Sequence, residues 1–270
     1  MRTTLQNLPR LQITRFETCE STNQSLLNAA EAGASTGSVF VAREQTAGRG
    51  RRGREWVAAQ DDSLTFSLLW HFPADPARLS GLSLVVGIAI VRALNEMAVG
   101  SEPTGLRCGL KWPNDLLLCD EDGRYAKMGG ILIESVLRPS QTGAKELSVV
   151  IGVGLNCTDS IALKHSVRDQ CIGAASELLG YRVTPEDVLP VVLKHLSAAV
   201  DQFSRDGFLT FCNEWNAHNL WQGLPVQVRE GDAILQEGRC AGVDPDGALC
   251  IDTAAGQVRI ISGDVSLRRV

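Results

Sequence analysis

Apolar positions along the chain fall into short runs, then one long helical stripe, then short runs again. Leu11 to Phe16 is predicted as a strand, and Ser21-Thr22-Asn23-Gln24 has the Ser-x-x-Gln spacing of a helix capping box ahead of a helical stretch from Ser25 to Ala32. Val39 to Ala42 and Ser63 to Trp70 read as further strands. Leu79, Leu82, Val86, Ile90 and Leu94 recur at the spacing of one buried helix face, which predicts a single long helix from Pro76 to Val99. Its longest apolar stretch, Leu82 to Val91, is too short to span a bilayer and runs into Arg92, Asn95 and Glu96, so it reads as a buried helix.

The next block is strand-rich. Leu106 to Trp112, Asp115 to Cys119, Met128 to Val136 and Leu147 to Val153 are separated by turn residues such as Pro113-Asn114 and Asp122-Gly123, and such short links imply an antiparallel or mixed sheet. Helices are predicted from Ile172 to Leu179, from Thr184 (a cap, with Pro185 in the first turn) and from Phe208 to Asn219. From Leu224 the pattern changes to short strands at Val226 to Arg229, Ala233 to Gly242, Ala248 to Asp252 and Val258 to Ser262, with Asp244-Pro245-Asp246-Gly247 as a turn. That is the texture of a small terminal β-barrel. A boundary at Gln222-Gly223 gives a main domain over 1–222 and a small one over 223–270, packed together.

Composition narrows the function. With 270 residues, 44% of them hydrophobic and 21% charged, the chain can bury a sizeable core. Acidic residues outnumber basic ones 31 to 26, which argues against general nucleic-acid affinity. The eight cysteines form no CxxC pair and do not cluster with the four histidines, so no zinc site is expected. They read as small buried hydrophobes of a reducing compartment, which predicts a cytoplasmic location. No basic-then-apolar leader opens the chain.

Against that acidic background, Gly48 to Arg54 packs four arginines and three glycines into seven positions, followed by Glu55 and Trp56. Guanidinium repulsion and glycine entropy predict a mobile segment that an anion orders. The spelling matches G-x-G-x-x-G, but no helix follows it as a dinucleotide fold requires, and a Walker A loop would need Lys-Ser or Lys-Thr where Arg54-Glu55 stand. An exposed basic surface loop is the plain alternative.

Three other segments carry candidate chemistry. In Lys111-Trp112-Pro113-Asn114-Asp115-Leu116 a turn accounts for Pro113 to Asp115 but not for Lys111 and Trp112. In Lys127-Met128-Gly129-Gly130 a lysine opens a strand, and two glycines permit close approach of a ligand; the alternative is a β-bulge beside a solvated lysine. Ile151-Gly152-Val153-Gly154-Leu155-Asn156 repeats the glycines and ends in an amide.

Taken in order, Ser21-Thr22-Asn23, GRGRRGREW (48–56), KWPNDL (111–116), KMGGILIE (127–134), VIGVGLNC (150–157) and Gly263 to Arg268 resemble the motifs of the biotin protein ligases over nearly the whole chain. Lipoate ligases of the same superfamily lack the arginine loop. The resemblance implies an α+β catalytic domain of the class II aminoacyl-tRNA synthetase/biotin ligase-like kind, a mixed sheet flanked by helices, with a C-terminal SH3-like β-barrel. It implies activation of biotin by ATP and Mg2+ to biotinyl-5′-AMP, then transfer to one lysine of the biotin carboxyl carrier domain of acetyl-CoA carboxylase, by a monomer or homodimer. Another acyl-adenylating ligase, for lipoate or octanoate, or a non-catalytic binding module are the alternatives.

The same resemblance distributes roles. Lys127 is implied to contact the α-phosphate and the biotin carboxylate, Arg49 and Arg51 to neutralise the reacting anions, and Asp115 to orient the acceptor amine and help remove its proton, against an ordinary lysine pKa of about 10.4. Ser21, Thr22, Asn23 and Gln45 fall around the ureido ring, Gly48 and Arg49 near the biotin tail, and Gly129, Gly130, Gly152 and Gly154 where backbone nears the bicycle. Arg51, Arg52, Arg54, Trp56, Lys111 and Asn156 fall on the adenylate side, beside a mobile adenylate loop from Cys157 to Cys171. The arginine loop becomes a lid over a reactive anhydride. No protein-held metal is implied. Some relatives carry a winged-helix domain; with about a dozen residues before the first strand and a negative net charge, no sequence-specific DNA binding is expected.

Overall fold

The computed structural model describes residues 10–139, 145–167, 170–261 and 266–269. In chain order the elements are β1 (Gln12–Cys19), α1 (Thr22–Glu31), β2 (Ser38–Gln45), β3 (Ser63–Pro73), α2 (Leu82–Met97), β4 (Arg107–Lys111), β5 (Asp115–Cys119), β6 (Tyr125–Pro139), β7 (Lys145–Asn156), α3 (Ile161–Ser166), α4 (Ala175–Leu179), α5 (Pro185–Asp206) and α6 (Cys212–His218). The C-terminal strands are β8 (Pro225–Glu230), β9 (Ala233–Val243), β10 (Leu249–Thr253), β11 (Gly256–Ile260) and β12 (Ser266–Arg269).

Seven strands form one sheet in the order β1-β2-β3-β7-β6-β5-β4, parallel at β1–β2 and antiparallel elsewhere. The five C-terminal strands form an antiparallel sheet in the order β11-β10-β9-β8-β12. Strands β3 and β7 sit at the centre of the large sheet, which explains their largely apolar runs: one face is covered throughout and the other over part of its length. On one face Phe66, Leu68, Ile151 and Val153 join the core built with α2 and α5. On the other, Leu26, Leu27 and Ala30 of α1 pack on Leu69 and Val150. Helix α1 covers only part of that second face, and the uncovered part holds the site.

Several elements depart from the sequence pattern. The predicted helix from Pro76 to Val99 is broken: a 3-10 turn spans Pro76–Leu79, and Gly81 adopts φ +80° before α2 begins. A Cβ at Gly81 would lie 2.5 Å from Phe208 Cγ, so both backbone and packing demand glycine there. Helix α2 is the buried core helix that the pattern implied. The helix expected from Ile172 shrinks to α4, because Ile172 pairs with Lys127 instead. The one expected from Phe208 splits into a 3-10 turn over Leu209–Phe211 and α6.

The capping box forms at Thr184, whose Oγ1 accepts Asp187 N–H at 3.4 Å while its own N–H donates to Asp187 Oδ2 at 2.8 Å. None forms at Ser21. Gln24, cast as its partner, instead donates to Asn28 Oδ1 at 3.0 Å and accepts from Arg49 at 2.6 Å. Ser262 and the start of the terminal motif, Gly263 to Val265, lie outside the described residues. The two sheets share one hydrophobic cluster that includes Val226, Leu249, Ile251 and Leu267, and Trp112 Nε1 donates to Gly247 O at 3.2 Å across the junction. Trp112 is thus a buried inter-sheet strut.

Candidate active site

Sheet register builds the site. Lys111 pairs with Asp115, Asp115 with Gly130, Gly130 with Gly154 and Gly154 with Thr65, so these five residues form one row across β4, β5, β6, β7 and β3. Two residues further along, a second row runs Leu132, Gly152, Ser67, displaced by about 7 Å. All of these but Ser67 floor a cavity of about 750 Å³ walled by the arginine loop, the start of α1, residues 163–167 and 170–172, and Ser266 to Arg268.

A β-bulge decides which side chains face the cavity. Leu116 pairs with Gly129 but Leu117 with Lys127, leaving Met128 as the extra residue. Met128 and Gly129 therefore both turn to the core: Met128 is fully buried, and a Cβ at Gly129 would meet Gly154 O at 2.8 Å and the Leu155 and Leu116 side chains. Lys127 and Gly130 turn to the cavity. The bulge reading was right about the backbone, whereas the lysine is paired rather than solvated. Gly129, expected against the ligand, is a packing glycine.

Lys127 Nζ lies 2.8 Å from Asp115 Oδ1, and Lys111 Nζ lies 3.1 Å from Asp115 Oδ2. Burial pushes the Asp115 carboxyl up, but the two ammonium groups outweigh it and hold the carboxyl below the usual carboxylate range. Burial likewise pushes Lys111 down; Asp115 opposes this, while Arg268 and Lys127 add to it. Lys111 also stands 4.7 Å from the centre of the Trp221 ring and Lys127 5.9 Å from that of Trp56. Asp115, expected to orient the acceptor amine and help remove its proton, has each oxygen engaged by a lysine, an arrangement suited to positioning two cations.

The arginine loop is closed by its own backbone: Trp56 N–H donates to Gly48 O at 3.0 Å, Gly50 N–H to Arg54 O at 2.7 Å, and Arg49 bridges Glu55. A Cβ at Gly48 would sit 2.4 Å from Trp56 O, so this glycine serves the closure. Arg51 donates to Asn114 Oδ1 at 3.3 Å, and Asn114 in turn donates to Ile131 O at 2.9 Å, tying the loop to the KWPND turn. Arg52 adopts φ +61°, and its Nε and Nη2 are shielded from water without a hydrogen-bond partner among the described residues. Such atoms suit an anionic acceptor. Arg54 lines the cavity from an exposed position. The Trp56 indole rests on Gly154, where a Cβ would come within 2.3 Å of it.

The far end is a network of amides and hydroxyls. Gln45 Oε1 accepts Thr22 N–H at 2.8 Å and Thr22 Oγ1 at 3.2 Å. Ser67 Oγ lies 2.8 Å from Thr22 Oγ1 and 2.6 Å from Asn23 Oδ1. Asn23 Nδ2 donates to Glu134 Oε2 at 2.9 Å and Leu132 O at 3.3 Å, and Glu134 Oε1 pairs with Arg49. Gly152 leaves room for Asn23, since a Cβ there would lie 2.2 Å from Asn23 Oδ1. Glycines expected to admit a ligand thus admit the protein's own Asn23 and Trp56. Buried Ser21 also lines the cavity. Asn156 reaches its edge but is engaged by Gly173 O at 3.1 Å and by Ser63 Oγ at 3.4 Å.

A cavity with one amide-rich end and one cationic end is what an acid with a hydrogen-bonding head and a carboxylate tail requires. The family model described as "Biotin/lipoate A/B protein ligase family" matches residues 16–156, and "Biotin protein ligase C terminal domain" matches residues 223–268. The chain belongs to the biotin protein ligases. The ligase is 32% identical to the biotin--[acetyl-CoA-carboxylase] ligase of Paracoccus denitrificans over 91% of its own length and 96% of that protein. It is 30% identical to the bifunctional ligase/repressor BirA of Escherichia coli, covering 92% of this chain and 72% of that one. Its fold superposes on a biotin protein ligase from Aquifex aeolicus in complex with biotin and ATP with a TM-score of 0.74 and 27% identity, covering 96% and 99% of the two chains.

Sequence reasoning missed four residues of the ligase's site. Ser67 follows Ser63 and Thr65 at alternate positions of β3, and Glu134 closes an apolar run; nothing in either local pattern points to Asn23. Asn114 was hidden by its turn role. Arg268 faces Lys111 from the C-terminal sheet, a neighbourhood no local pattern announces. In the 157–171 segment, α3 went unpredicted; Leu163 and Val167 line the cavity, and residues 168–169 lie outside the described set.

Proposed function

We propose that biotin lies with its ureido ring against Thr22 and Gln45 and its carboxylate toward Lys127, that ATP enters between the arginine loop and residues 163–167 and 170–172, and that their condensation gives biotinyl-5′-AMP. One observation supports this above others: the Thr22–Gln45 amide pair and the Lys127–Asp115–Lys111 cluster line one and the same cavity. A carboxylate oxygen attacks the α-phosphorus and pyrophosphate leaves; the acceptor amine then attacks the acyl carbon and AMP leaves. Bringing two anions together costs Coulomb energy that Lys127, Arg51 and Arg52 offset. Gln45 Oε1 is taken by Thr22, so its amide nitrogen is the end turned to a ligand acceptor. Asp115 holds both lysines in place. Mg2+ enters with the nucleotide, held by its phosphate oxygens.

The acceptor is a lysine of a biotin carboxyl carrier domain, by the likeness to the Paracoccus denitrificans ligase. The catalytic steps belong to residues 1–222, and 223–270 lends Arg268 to the cavity edge. Eight unpaired cysteines support a reducing, cytoplasmic location. Exchange of labelled pyrophosphate into ATP tests the reading: biotin should support it and octanoate or lipoate should not. Exchange driven best by a fatty acid would reassign the substrate.

A further inference from the structure

Asn23 comes from the first turn of α1 and Arg49 from the arginine loop, and one carboxylate joins them. Glu134 Oε2 accepts from Asn23 Nδ2 at 2.9 Å while Oε1 is paired with Arg49. The second Nδ2 hydrogen goes to Leu132 O at 3.3 Å, and Asn23 Oδ1 faces the Ser67 hydroxyl at 2.6 Å. Both amide hydrogens of Asn23 are therefore spent within the protein, which removes it from the donors open to a ligand. The Ser67 hydroxyl in turn touches Thr22, and Thr22 fixes the amide of Gln45.

We infer that Glu134 is the positioning residue of the biotin step: its carboxylate locks Asn23, and through Ser67 the Thr22–Gln45 pair, to the arginine loop at Arg49. The Glu134 side chain is only 20% exposed, so removing the cation it faces leaves a poorly solvated charge, and removing the carboxylate frees Arg49 and Asn23 together. This makes the shape of the ring pocket and the seat of Arg49 depend on one side chain, while the part of the loop that carries Arg51 and Arg52 is held by its own backbone bonds and by Asn114. The inference rests on the reading of the cavity as a biotin site.

Glu134→Gln keeps the shape and an acceptor for Asn23 while removing the charge that seats Arg49. KM for biotin and for ATP are measured by pyrophosphate exchange in the full chain, in Glu134→Gln, in Arg49→Gln and in the double variant. Glu134→Gln should raise KM for biotin about tenfold and leave KM for ATP within about twofold. The double variant should bind biotin no worse than Arg49→Gln by more than about twofold, because the two residues act as one unit. An unchanged biotin KM, an equal rise in both KM values, or multiplying losses in the double variant would overturn the inference. Should Glu134→Gln not fold, Ser67→Ala is read in its place: it too should raise the biotin KM alone, and no change would count against the relay. A parent protein silent with biotin instead overturns the substrate reading, before any variant is compared.

Discussion

Asp115 holds its place by charge, and its behaviour with pH follows from the direction of its shift. The folded carboxyl lies below its ordinary value, near 3.9, so the stabilisation is fully present above that value and is lost as pH falls through the folded one. Asp115→Asn strands two lysines that are 11% and 21% exposed, at a cost of about 3 kcal/mol near neutral pH. Melting temperatures of parent and variant should differ by a constant amount from about pH 7 to about pH 5, and the gap should begin to narrow only below about pH 4, closing once the folded carboxyl is protonated. A gap that widens in acid would show that the ion pairs are not what Asp115 supplies. Lys127 was legible in the sequence through the resemblance of its KMGGILIE segment to the family motif, although Tyr125 and not Lys127 opens the strand. Glu134 and Ser67 were not, since Asn23 lies 111 residues from one and 44 from the other, and only sheet register brings them together.

At the scale of elements, the alternate glycines of β7 were legible as a pattern, though their purpose was not. Gly152 makes room for Asn23 and Gly154 for Trp56. Gly152→Ala should displace the Asn23 amide from Ser67 and Glu134, costing about 1–3 kcal/mol of stability by overpacking and weakening biotin binding more than tenfold, about 1.4 kcal/mol. Thermal melting and biotin titration check it, and wild-type affinity would refute the packing account. The bulge at Met128 belongs here too: it was readable only as one of two possibilities, because a one-residue shift in register cannot be seen until the partner strand is placed. The broken helix at Gly81 has the same cause, since the contact that demands glycine comes from Phe208 in a distant segment.

For the whole molecule, alternation of apolar residues gave the order of most strands, and the change of texture near residue 224 marked the second sheet. The two parts were expected to pack together; what stayed hidden was which residues meet, Trp112 with Gly247 O and Arg268 with Lys111. The cationic end of the cavity is thereby assembled from both sheets. The ligase makes an acyl adenylate from biotin and hands the acyl group to a protein lysine. Intact-mass spectrometry of a purified biotin carboxyl carrier domain, incubated with the chain, biotin, Mg2+ and ATP, tests it directly. A gain of one biotin less one water on a single lysine, dependent on ATP, is expected; no gain, or a gain only when a fatty acid replaces biotin, would refute this activity.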